Sequence, residues 1–190
     1  MGLREARYGA WASRARVPLG LGLSLAYLVL ARPTPRWLIV GSTIALLGLA
    51  LRAWAAGFVE KDASLAISGP YALTRNPLYL GSALIGAGFA VAGRSLIMAI
   101  AFAALLIFIY VPVIRREEEF LRAKFGQAYR EYAIDVPVFF PRFGASASPG
   151  QFRWSRYKRN REYEAALGFV AGLALLVLKM IVLRRLAGFP

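Results

Sequence analysis

The chain has 190 residues, 58% of them hydrophobic, a mean hydropathy of +0.53 and a formal net charge of +14. That balance excludes an ordinary water-soluble domain and indicates one integral membrane unit. Cysteine and histidine are both absent, which excludes disulfides, conventional zinc sites, thiol catalysis and a histidine base. Any chemistry falls to Glu, Asp, Arg, Lys, Tyr, Ser or Asn.

The first apolar segment runs from Val17 to Ala31 between Arg16 and Arg32. As a helix it measures roughly 22 Å, short of the roughly 30 Å hydrocarbon core, and spans only with snorkelling flanks or a thinned bilayer. Pro33-Thr34-Pro35-Arg36 stops it and predicts a tight hairpin with the second segment, Trp37 to about Ala56. Arg52 interrupts the last turns of that segment; the reading taken is that it snorkels to the interface, the alternative that it faces a ligand cavity. The third segment runs from Leu78 to Gly93-Arg94 and the fourth from Ser95 to Ile114, with Pro112 placed to kink it or relax its hydrogen-bond ladder.

From Arg115 to Ala133 the pattern becomes amphipathic, with Leu121, Phe125, Ala128 and Tyr132 on one face. This predicts a helix that leaves the membrane and lies along or above it, bent at Gly126 and ended by Pro137 and Pro141, before a loop from Gly144 to Gly150. Arg153 to Glu164 is basic and aromatic, suited to headgroup contact, and Asn160-Arg161-Glu162-Tyr163 reads as a cap for the fifth segment, Ala165 to Leu183. The expected fold is all-α, a polytopic membrane bundle of about five transmembrane segments plus an interfacial cytosolic helix.

Eighteen of the 24 Lys and Arg residues fall on one side if the N-terminus is cytosolic, which puts the Gly69 to Gly81 elbow on the cytosolic face. The positive charge sits between spanning segments, so membrane lipids rather than nucleic acid are the expected counter-charge. The short first segment lacks a small-residue cleavage site, and is expected to stay in the mature protein.

Two polar clusters interrupt the apolar pattern. In the elbow, Gly69-Pro70 sets a turn, Asn76-Pro77 opens the next helix and Gly81 permits close approach; Asn76 as an N-cap and Tyr79 as an interface anchor are the plain alternatives. Glu117 and Glu118 directly follow a spanning run. One of them should be neutralised by Arg115, Arg116, Arg75 or a cationic ligand, unless they form a solvated helix start or an Glu118/Arg122 pair.

These two clusters resemble the motifs of the isoprenylcysteine carboxyl methyltransferase and phospholipid N-methyltransferase superfamily of membrane enzymes. Gly69 through Gly81 is similar to a glycine, an aromatic and then Arg-His-Pro-x-Tyr-x-Gly. The second motif is matched by Glu117-Glu118, Leu121, Phe125-Gly126, Tyr129 and Tyr132, with Val136 and Pro141 closing the block. The likeness covers roughly residues 38–141 of a single domain over 1–190, with residues 151–190 forming an additional interfacial segment and membrane helix. It implies S-adenosylmethionine as cofactor, enclosed by Arg75, Asn76, Tyr79 and Gly81, with Glu117 or Glu118 binding its amino group or ribose. Tyr129 and Tyr132 would form the pocket wall or lipid entrance. Asn76 stands where the family frequently has histidine, and asparagine cannot take a proton at neutral pH.

The resemblance implies methyl transfer to a hydrophobic or prenylated acceptor. A carboxylate acceptor needs no strong base, with Arg75 or Arg115 holding it. An amine acceptor needs a deprotonating route through Glu118, Tyr129 or solvent. A phospholipid N-methyltransferase, a nicotinamide-dependent membrane reductase and a noncatalytic lipid-binding protein are the alternatives. The expected location is a bacterial or archaeal cytoplasmic membrane, with the site facing the cytosol.

Overall fold

The computed structural model describes residues 3–60, 64–142 and 150–186. Of the loop expected from Gly144 to Gly150, all but Gly150 lies outside them. The described chain is an all-α membrane bundle: α1 Leu3–Leu30, α2 Pro35–Ala56, a 3-10 turn Gly69–Ala72, α3 Pro77–Gly93, α4 Leu96–Leu105, a π turn Leu106–Tyr110, α5 Val111–Asp135, α6 Trp154–Arg159 and α7 Tyr163–Leu186. Pro35–Ala56, Leu96–Asp135 and Tyr163–Leu186 are long and apolar enough to cross a bilayer, and Val17–Leu30 and Pro77–Gly93 are shorter apolar stretches.

Local chemistry explains most boundaries. Pro35 and Pro77 occupy first-turn positions of α2 and α3, where a missing N–H costs nothing. Ser95 caps α4 by accepting from the Met98 amide at 3.3 Å. The π turn precedes Pro112, and the Val111 amide reaches back to the Leu106 carbonyl, so the ladder loosens as the proline requires. α4, the π turn and α5 therefore run as one 40-residue helix. The amphipathic stretch thus follows on from the fourth segment without a gap, and a further helical stretch runs beyond Gly126 to Asp135. Its break comes at Gly126, whose φ of 54° and ψ of −120° suit a residue without a side chain.

The first two segments do not form the expected hairpin. α1 packs mainly against α4, the π turn and α5, whereas the principal partner of α2 is α3. Its 28 residues also give α1 a length of roughly 42 Å, so the helix continues past the apolar stretch Val17–Leu30 into the basic segment toward the N-terminus. A proline turn sets where the chain reverses; side-chain size sets which helices touch. Gly41, Ala45 and Gly48 of α2 face Gly81, Gly88 and Ala92 of α3, and a methyl added at Gly88 would stand 2.5 Å from the Gly41 carbonyl oxygen. Small residues let the two backbones approach where larger side chains would separate them.

α7 is largely unburied along its length but is tied at the end of α1, where Lys179 Nζ donates to the Leu28 and Val29 carbonyls at 2.6 and 2.7 Å. These are C-terminal carbonyls of α1 with no helical partner, and a cation there also meets the negative end of the helix dipole. We predict that Gly88→Ala lowers stability by about 1–3 kcal/mol. Gly168→Ala, which meets nothing within 4 Å, should be neutral or slightly stabilising. Thermal unfolding of both variants in detergent micelles checks the contrast.

Candidate functional site

The elbow is built from the backbone outward. Gly69 has a φ of 60°, and the Phe58 ring occupies the space a side chain would need. Pro70, Tyr71 and Ala72 are buried behind it. The stretch after α5 then returns to clamp the turn. The Arg75 amide donates to Pro137 O at 2.9 Å, Thr74 Oγ1 to Phe139 O at 3.0 Å, Arg142 N to Leu73 O at 3.0 Å, and Tyr132 Oη to Tyr71 O at 2.7 Å. Asn76 stands at the N-cap position of α3, yet its side chain does not cap; Nδ2 donates to Val138 O at 2.9 Å.

This clamp brings the two polar clusters together around a hollow of about 230 Å³, lined by Tyr71, Arg75, Asn76, Glu117, Glu118 and Tyr129 among others. Arg75 Nη1 lies 3.1 Å from Glu118 Oε1 and 3.4 Å from Tyr129 Oη, so Glu118 pairs with Arg75 rather than with Arg122. Tyr129 is almost fully buried. The Arg75–Glu118 contact is close but poorly angled: Arg75 Nε and Glu118 Oε1 are both buried without a hydrogen-bond partner. A donor and an acceptor are thus left side by side. Burial pushes the Tyr71 phenol above its ordinary range, and the Glu117 carboxylate adds to that shift, so Tyr71 is a neutral wall.

The remaining expected residues lie around the hollow. Tyr79 Oη donates to Glu117 Oε2 at 3.0 Å while its ring meets Tyr110 edge-on, with centroids 5.7 Å apart. Gly81 belongs to the α2–α3 contact, where an added methyl would meet Arg52 Cγ at 2.5 Å and Gly48 O at 2.7 Å. Arg115 is exposed and is not among the hollow's lining residues.

A second cavity, about 560 Å³ and mainly apolar, opens between α1, α3, α4 and α7, with Tyr27, Phe89, Phe102, Tyr110 and Phe169 on its walls. Arg52 is its sole charged lining residue among the described residues. The guanidinium does not snorkel. Nε and Nη2 hold Glu162 at 3.0 and 2.7 Å, while Nη1 donates to Ser82 Oγ at 2.6 Å and Leu78 O at 3.2 Å. Glu162 therefore secures the start of α7, and Asn160 Nδ2 binds Ala56 O and Val59 O rather than capping that helix. Sequence reasoning missed the Arg52–Glu162 pair. Its signal was one lone cation inside an apolar run and one acid beside a basic tract, each without a local partner. Tyr79 stands between the cavities, touching Glu117 of the hollow and Tyr110 of the chamber.

A family model described as phospholipid methyltransferase matches residues 36–128, which supports the broad class of membrane methyltransferase-like proteins. Cobalt-zinc-cadmium resistance protein CzcN of Cupriavidus metallidurans is 35% identical over 128 residues, covering 62% of this chain and 58% of that protein. Nickel-cobalt-cadmium resistance protein NccN of Alcaligenes xylosoxydans xylosoxydans is 30% identical over 115 residues, covering 60% of this chain and 52% of its own length. The chain thus spans little more than half the length of these curated relatives. No solved structure matches.

Truncating Glu162 strands the partly buried guanidinium of Arg52. Glu162→Ala should cost about 3–5 kcal/mol, and Arg52→Met with Glu162→Leu should recover most of that loss. Denaturation of the single and double variants in the same detergent checks both outcomes.

Proposed function

We propose that the chain is an S-adenosylmethionine-dependent membrane methyltransferase acting on a lipid-like or prenylated acceptor, with a carboxylate as the favoured methyl-accepting group. The observation that carries this reading is the Arg75–Glu118 pair in the hollow, where Arg75 Nη1 stands 3.1 Å from Glu118 Oε1 and Arg75 Nε has no hydrogen-bond partner. Arg75 Nε is a buried donor beside Glu118 Oε1, a buried acceptor. Together they complement the carboxylate and ammonium of an amino-acid end, which S-adenosylmethionine has. The motif resemblance and the match over residues 36–128 support the same reading.

Held by Arg75 and Glu118, S-adenosylmethionine would supply an electrophilic sulfonium methyl to an acceptor oxygen, with S-adenosylhomocysteine as the leaving group. The chain's own task is alignment and exclusion of water. Arg75 is steadied by Glu118 and Tyr129, and Tyr71 closes the wall without carrying charge. The neighbouring chamber suits an apolar tail, because each CH2 moved from there into water costs about 0.8 kcal/mol. In this scheme Tyr79 lies where tail and reacting end meet. A cytosolic hollow would admit the soluble donor while the acceptor arrives from the bilayer.

The family model's description favours a second reading, in which a phospholipid amine accepts the methyl group. The relatives' names also suggest a part in metal resistance. Since this chain has no histidine or cysteine, we infer that such a part would be played by modifying a membrane component rather than by holding the metal through those ligands.

Purified protein incubated with labelled S-adenosylmethionine and total membrane extract should yield a labelled lipid-soluble product whose methyl ester or methylamine identifies the acceptor. Absence of any labelled product, with binding of a reduced nicotinamide cofactor instead, would overturn the assignment. Glu118→Gln should weaken donor binding by about tenfold or more while leaving membrane insertion intact; isothermal titration of the donor provides the readout, and unchanged affinity would remove Glu118 from the site.

A further inference from the structure

Arg153, Arg156, Lys158, Arg159 and Arg161 fall within nine residues around α6. Arg156 and Arg159 share Glu60 at 2.8 and 2.9 Å, and Arg161 pairs with Glu164 at 2.6 Å. Arg153 and Lys158 are exposed and have no ion-pair partner among the described residues. The segment retains net positive charge after its own acids are counted.

Its position matters as much as its charge. The Arg153 amide donates to Gly57 O at 3.0 Å, just past the end of α2, and α7 begins at Tyr163. α6 therefore lies where two helices long enough to cross a bilayer meet its surface. Aromatic side chains interleave the cations. Trp154 is 68% exposed and packs edge-on against Phe152 and Tyr157, at centroid distances of 5.0 and 5.6 Å. Tyr163 is also exposed. Tryptophan and tyrosine collect at headgroup depth, and basic residues beside a spanning helix attract anionic lipid. A recess of about 410 Å³ opens beside Gly150, Gln151, Arg153 and Arg156.

We propose that this face is a binding surface for an anionic phospholipid, drawn to it by the charge of Arg153, Lys158 and Arg159 with Trp154 alongside at the membrane surface. Soluble phosphates share the anionic chemistry but have no use for exposed aromatics set between cations at the ends of two spanning helices. Glu60, which holds Arg156 and Arg159, also lines the Arg75–Glu118 hollow, so the two sites adjoin, but lipid binding on this face needs no methyl donor.

The test is lipid retention. The full chain in nanodiscs of equal phosphatidylglycerol and phosphatidylcholine is released into mild detergent, and the retained lipids are counted by native mass spectrometry. Wild type should keep phosphatidylglycerol over phosphatidylcholine, and each cation removed in Arg153→Gln, Lys158→Gln and Arg159→Gln should reduce that preference by about fivefold. Lys158→Gln alone serves if the triple variant does not fold, because that side chain makes no ion pair among the described residues. Equal retention of the two lipids by wild type, or an unchanged preference in a folded variant, overturns the proposal. Release of phosphatidylglycerol by millimolar inorganic phosphate at constant ionic strength would overturn it too, by assigning the site to a soluble anion.

Discussion

The close approach of α2 and α3 is the constraint on which the rest depends. Glycine at 41, 48, 81 and 88 removes the side chains that would hold the helices apart, so carbonyl oxygens of one helix lie against the backbone of the other. Within a bilayer, apolar surface gains little by leaving lipid, and packing at short range has to supply the specificity. This contact sets Arg52 beside Gly81 and Ser82 and stations the elbow at the foot of α3. Everything polar at that end of the bundle is then built on a rigid pair.

Polarity is divided sharply above this foundation. The hollow gathers Arg75, Glu117 and Glu118 with three tyrosines; among the described residues the chamber has one cation, already neutralised by Glu162. Opposite charges so close sustain each other in a poorly hydrated setting, while either alone would draw in water. The chamber can therefore remain greasy although a guanidinium lines it. The clamp from Val136 onward serves the hollow in the same spirit, since Pro137, Val138 and Phe139 give their carbonyls to the elbow's donors.

The elbow and the acidic helix start were legible because each breaks a strongly apolar pattern with residues that need partners. Their meeting was expected from the need of Glu117 or Glu118 for a counter-charge, Arg75 being one of the cations offered, and no local spacing singles out the Arg75–Glu118 pair. The bend at Gly126 was legible too, as was a helix carrying on past Arg115 out of the apolar stretch. A change from uniformly apolar to amphipathic residues marks where a helix leaves lipid, and a helix can do that without ending. The supposed hairpin of the first two segments failed because Pro33 and Pro35 reveal a reversal and nothing about packing faces. Gly41 with Ala45 and Gly88 with Ala92, each four apart, carried the missing signal. Arg52 and Glu162 were harder: 110 residues separate them, and neither has a neighbour that announces the other.

α7 shows what two fastenings achieve on a helix with little other burial. Glu162 grips Arg52 just before its first residue, and Lys179 grips the carbonyl end of α1 near the opposite surface. The two points are roughly 25 Å apart along the axis. Sliding by a single residue would shift the helix by about 1.5 Å and turn it by about 100°, carrying both side chains off their targets at once. The pair thus works as a vernier: depth and rotation are read off together, and a helix with little other burial keeps one fixed setting.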